Sequence, residues 1–173
     1  MKFHWVFCAY LLSVVNVSAS DSLTGLNMSH MDAGKLAPAF ILPTLEGKLI
    51  DSHSLSGQVI ILNFWATWCG PCKEEMPSLE KLRQRLDSER FRLFAVTTDI
   101  RPQDIANFWD YLDLHFEVLL DEQEELSRAL MVRNLPTTVI IDTKGGLVGR
   151  MMGPRDWNSP GVIALLNNLL NRP

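Results

Sequence analysis

Residues 59–64 read Val-Ile-Ile-Leu-Asn-Phe, and residues 68–73 read Trp-Cys-Gly-Pro-Cys-Lys. The first run is continuous and apolar, follows Gly57, and predicts a central strand buried on both faces. From Gly70 the pattern turns helical, with Met76, Leu79, Leu82 and Leu86 at spacings of three and four. Two cysteines are therefore held where a buried strand gives way to a helix. A strand buried on both faces needs neighbours in a sheet and cover above and below it, so this one junction already argues for a layered α/β domain.

The rest of the chain repeats the alternation. Short strands are expected at residues 40–42 and 49–55, joined by the turn Leu45-Glu46-Gly47-Lys48 as a hairpin. Further strands are expected at residues 91–97, 116–120, 137–141 and 147–151, the last two joined at Lys144-Gly145-Gly146. Helices are expected at residues 102–112, 122–130 and 157–170, and Pro77 falls inside the helix that follows the cysteines. No internal repeat or second domain is visible.

The first residues differ. Lys2 precedes an apolar run from residue 5 to residue 15, and Val17-Ser18-Ala19 places small residues where a signal peptidase cuts. The run is shorter than the about 20 apolar residues that span a bilayer. Residues 1–19 are thus expected to be a secretory signal, with a retained membrane anchor as the alternative. Residues 20–34 are expected to be a flexible leader, and residues 35–173 the folded domain. Net charge is −4 and no basic stripe occurs, so a nucleic-acid partner is not expected.

Of the three cysteines, Cys8 lies within the signal, leaving Cys69 and Cys72. Zinc would need two more ligands, and His30, His53 and His115 are scattered without ligand spacing. Covalent haem would need a histidine after the second cysteine, where Lys73 stands. A structural bridge across two residues would constrain the unfolded chain little. A redox pair explains the spacing. Cys69 opens a helix, whose free N–H groups and dipole favour a thiolate there. Gly70-Pro71 fits the bend, since Pro is tolerated in a first helical turn. Cys69 is expected to attack a client disulfide, and Cys72, one turn on, to resolve the mixed disulfide. No cofactor beyond this pair is expected.

The motif WCGPCK after a buried strand resembles the thioredoxin active site. Pro77, and Leu135-Pro136-Thr137 before the strand at 137–141, match the same superfamily. Residues 37–82, the strand and helix near 116–130, and Gly-Pro-Arg-Asp-Trp at 153–157 resemble the TlpA-like group of exported thiol–disulfide oxidoreductases. The resemblance covers roughly residues 36–171. It implies a thioredoxin fold: a central mixed sheet with helices on both faces, an N-terminal hairpin and an extra βα insert. It implies that Leu135 and cis-Pro136 shape the client groove and that Trp68 flanks the site. It also implies a periplasmic location, clients bearing disulfides, apocytochromes among them, and a membrane-bound electron donor. The loop Met131-Val132-Arg133-Asn134-Leu135 lacks the acidic signature of the dedicated cytochrome-maturation branch, which leaves a general TlpA-like reading.

One position departs from cytosolic thioredoxins. They carry a buried Asp six residues before the first cysteine, where this chain has Asn63, which exchanges no proton at neutral pH. Glu75, three residues after Cys72, can reach the first turn of the same helix and is expected to act as the acid–base group. Three other functions compete. Thioredoxin-fold peroxidases share the start seen at Ala37-Pro38-Ala39-Phe40, but place Thr three residues before the reactive Cys, where Ala66 stands. A Cu(I) or partner-binding module would use the cysteines with Met28, Met31, Met151 and Met152. A disulfide-forming oxidant would use the same pair in reverse, though Gly70-Pro71 is the dipeptide of reducing thioredoxins.

Overall fold

In the computed structural model, which describes residues 28, 29, 31 and 35–171, one six-stranded sheet organises the chain. The strands are β1 (Met28–Ser29), β4 (Val59–Trp65), β5 (Phe91–Thr97), β6 (Glu117–Leu120), β7 (Thr137–Ile141) and β8 (Leu147–Met152). Their order is β1-β8-β7-β4-β5-β6, with β4, β5 and β6 parallel and β7 and β8 antiparallel to their neighbours. A separate hairpin pairs β2 (Ile41–Pro43) with β3 (Leu49–Asp51), followed by a 3-10 turn at Ser52–Leu55. The helices are α1 (Gly70–Arg85), α2 (Pro102–Leu112), α3 (Glu125–Ala129) and α4 (Pro160–Leu170).

Every residue of β4 is buried, as its unbroken apolar run requires. Its side chains divide between two cores. Val59, Ile61 and Trp65 pack with α1, α2 and α4, through residues such as Leu79, Ile105 and Leu166. Ile60, Leu62 and Phe64 pack with the hairpin and α3, through Phe40, Ile50, Leu126 and Leu130. The parallel crossovers β4-α1-β5 and β5-α2-β6 place α1 and α2 on the same face, as right-handed connections must. The fold is therefore the expected one: a mixed sheet covered on both faces, with the hairpin and the β6-α3 insert.

Two local expectations are corrected, and one strand was not foreseen. Within the leader expected at residues 20–34, most of which lies outside the described residues, Met28 and Ser29 pair with Met151 and Arg150 as an edge strand. Gly149 is the reason: a Cβ there would lie 2.7 Å from Met28 Cγ, so its missing side chain makes a socket for Met28. The helix expected at 122–130 spans only Glu125–Ala129. The Asp121 carboxylate accepts from Leu126 N and Ser127 N at 3.2 and 2.8 Å, which fixes the first turn there, and Glu124 stands in the left-handed region. The last helix begins at Pro160 rather than 157, because the residue before a proline avoids helical geometry and Ser159 is extended. The signal assigned to residues 1–19 lies outside the described residues. Among the described residues, no helix is long and apolar enough to cross a membrane.

Candidate active site

The active-site segment is built by the end of β4 and the start of α1. After Trp65 the chain turns through Ala66, Thr67 and Trp68. Thr67 N donates to Asp99 Oδ2 at 2.6 Å, and Cys69 N donates to Ala66 O at 3.0 Å. Together they anchor the loop before the first cysteine. Cys69 is the N-cap of α1, and its Sγ accepts from Cys72 N at 3.3 Å. The first sulfur thus sits where backbone N–H groups of a helix end have no internal partner and where negative charge is favoured. Pro71 occupies the first turn, where the N–H it lacks is not missed.

Cys69 and Cys72 are joined as a disulfide, with their Cα atoms 5.3 Å apart. Cys69 is 5% exposed and Cys72 is fully buried. Of the two, only Cys69 keeps any solvent contact. Trp68, beside them, is 76% exposed and presents its ring to solvent, whereas Trp65 is core, stacked on Phe108 and tilted against Trp109. Lys73 is half-buried, with its Nζ 5.4 Å from the Phe108 ring centre.

Leu135-Pro136 is a cis peptide. Thr137, the next residue, pairs with Phe64 of β4, so the cis-proline loop and the cysteine loop leave the sheet at the same end. Pro136 is buried, its carbonyl accepts from Gly153 N at 2.9 Å, and Leu135 packs against both cores.

Glu75 is 2% exposed, not solvated. Its Oε1 accepts from Asn63 Nδ2 at 2.8 Å, and its Oε2 from Trp157 Nε1 at 2.9 Å and Arg155 N at 3.1 Å. Burial pushes its carboxyl above the ordinary range, and the three hydrogen bonds restrain that rise. Asn63 also donates to Thr138 Oγ1 at 2.9 Å, which ties the strand, the helix and β7 together beneath the disulfide-bearing turn. The sequence alone did not reveal Trp157, Arg155 or Asp99 as parts of this site. The residues Gly-Pro-Arg-Asp-Trp carry the family likeness, but nothing local shows that they return to α1. Among the described residues no group of His, Cys, Asp and Glu gathers as a metal site. Met28 and Met151, two methionines considered for copper, are buried in the core.

A strand-to-helix cysteine pair beside a cis-proline, with a buried acid below, is the working part of a thioredoxin-fold thiol–disulfide oxidoreductase. The Redoxin family model matches residues 32–166, and the chain belongs to that family. It is 36% identical over 123 residues to the thiol-disulfide oxidoreductase ResA of Bacillus cereus, covering 71% of each chain. It is 34% identical over 120 residues to ResA of Bacillus subtilis, covering 69% of this chain and 67% of that one. Among solved structures, a Chlorobium tepidum protein assigned as the thiol:disulfide interchange protein DsbE superposes with a TM-score of 0.74 at 28% identity, over 82% of this chain and 99% of that one. StoA from Bacillus subtilis gives 0.61 at 28% identity, over 70% and 92%. The chain is an enzyme that exchanges thiols and disulfides with client proteins through Cys69 and Cys72.

Proposed function

We propose that this oxidoreductase works as a reductase of client disulfides in the periplasm. The observation that carries the reading is the Cys69-Gly70-Pro71-Cys72 turn at the N-terminus of α1, with Cys69 slightly exposed and Cys72 fully buried. The Cys69 thiolate attacks a client disulfide; a Cys69–client bond forms and one client thiolate leaves. Cys72 then attacks Cys69 Sγ, the second client thiolate leaves, and the Cys69–Cys72 disulfide remains. Two electrons pass to the client, and the two departing thiolates take up protons. Glu75, buried on α1 one helical turn from Cys72, accepts the Cys72 proton, since Asn63 cannot. No cofactor besides the cysteine pair takes part.

A protein that reduces in an oxidising compartment must be re-reduced, and a dithiol donor in the membrane supplies the two electrons. The apolar run at residues 5–15 supports export, either by cleavage after Ala19 or by retention as an anchor. The test is the reduction potential of the Cys69–Cys72 pair, measured by equilibration with a thiol redox buffer. A value near that of thioredoxin, about −270 mV, is expected; one near about −120 mV, as in DsbA, makes the protein an oxidant and overturns the direction.

A further inference from the structure

We propose that a pocket beside the cis-proline binds a carboxylate side chain carried by the client close to its reacting cysteine. The proposal rests on the oxidoreductase reading and names a feature of its substrates. The pocket has a volume of about 180 Å³ and is lined by Met131, Arg133, Asn134, Thr137, Arg150 and Met152.

Its place is set by the sheet. Thr137 follows Pro136 directly and pairs with Phe64 on one side and Met152 on the other. The pocket therefore opens at the end of the sheet where β4 delivers Cys69, across β7 from that strand. Neighbouring strands lie about 4.8 Å apart, so the lateral offset from β4 to β8 is about 10 Å, with Arg150 reaching Leu130 on the α3 face of the sheet. An extended client spans that in about three residues. A side chain two or three residues from the client cysteine is thus within reach while the mixed disulfide forms.

Its chemistry is cationic with adaptable apolar walls. Arg83, Arg92, Arg101 and Arg128 each pair with a carboxylate on their own helix or a neighbouring strand. Arg133 and Arg150 have no such partner among the described residues. Arg133 is exposed at the rim. Arg150 is held from below, its Nη2 donating to Leu130 O at 2.6 Å, while its Nε is buried without an acceptor. The Arg150 guanidinium lines the pocket without a carboxylate partner, and an incoming carboxylate would meet it in a charge-assisted bond. Met131 and Met152 are 53% and 57% exposed, and flexible thioethers suit the methylene stem of Glu or Asp in varied client sequences.

The experiment compares two synthetic peptides, each with one internal disulfide, identical except for Glu or Gln two residues outside each cysteine. The reduced protein is mixed with each, and kcat/KM is read from acid-quenched thiol counts. The Glu peptide is expected to react about five- to tenfold faster at low salt, mainly through KM, with the advantage shrinking at high salt. In Arg133→Gln and in Arg150→Gln the ratio is expected to fall toward one. Because the ratio compares two substrates on one preparation, loss of folded protein lowers both rates and leaves it unchanged. Equal rates for the two peptides in the unaltered protein overturn the proposal while leaving the oxidoreductase reading intact. A preference that survives both substitutions also overturns it, since the carboxylate is then read elsewhere. If neither peptide reacts, the oxidoreductase reading falls and this proposal with it.

Discussion

Trp157→Phe isolates what holds the buried carboxylate of Glu75. The substitution keeps an aromatic ring in a fully buried position and deletes one N–H donor, which lies 2.9 Å from Glu75 Oε2. A hydrogen bond to a charged group contributes about 1.5–3 kcal/mol, and it acts mainly on the ionised form. At 1.36 kcal/mol per pKa unit, its loss raises the Glu75 pKa further by about one to two units. The carboxyl already lies above its ordinary value because of burial, so the folded protein binds the proton more tightly than the unfolded chain. Stability is therefore greatest below the unfolded pKa and declines as pH rises through the window between the unfolded and folded values. The variant extends that decline to higher pH. Two effects then separate. The smaller ring leaves a space that lowers stability equally at all pH. The lost donor adds about 1.5–3 kcal/mol of destabilisation at about pH 8 that is absent at about pH 4. The assay is urea unfolding at both pH values, with a carbon-13 titration of the Glu carboxyls in the oxidised protein, where Cys69 and Cys72 do not titrate. An unchanged Glu75 titration, or a stability loss equal at both pH values, refutes the reasoning.

Cys72→Ser stops exchange after the first attack: the mixed disulfide between Cys69 and a client accumulates and is seen as a reducible, higher-mass species, whereas Cys69→Ser forms none. Glu75→Gln lowers the exchange rate by about 10²-fold if the carboxyl serves as the acid–base group, and removes the decline of stability that its raised pKa causes above about pH 4.5. A rate and a stability profile that both match the unaltered protein rule that role out.

The parts of the site legible in the sequence are those that neighbouring residues determine. The apolar run of β4, the cysteine spacing and the helix that follows lie within one stretch of chain, and the structure places them as expected. The raised burial of Glu75 was also encoded locally. Cys72, Glu75, Leu79 and Leu82 recur at spacings of three and four, so the carboxylate stands in the apolar stripe of α1 itself. What the periodicity could not show is how a charge survives there. Its donors come from Arg155 and Trp157, eighty residues and more along the chain, and only the folded sheet brings residues 153–157 back against α1. The same limit explains β1, whose seat depends on a missing side chain at Gly149.

The exchange of Asp for Asn at position 63 has a consistent physical meaning in this setting. A carboxylate on the strand would face Glu75 at hydrogen-bond distance, and two like charges in one buried space cannot both ionise without large cost. The amide instead donates, at 2.8 Å, and turns the strand from a source of charge into a support for charge on the helix. Glu75 and Cys72 then lie on one rigid helix, a turn apart, so their relation does not depend on how strand and helix pack. The readiness of Glu75 to hold a proton depends on the opposite kind of contact, a loop packed from outside. Placement of the acid is local and its tuning is long-range, which is why a sequence can reveal the first and only the fold reveals the second.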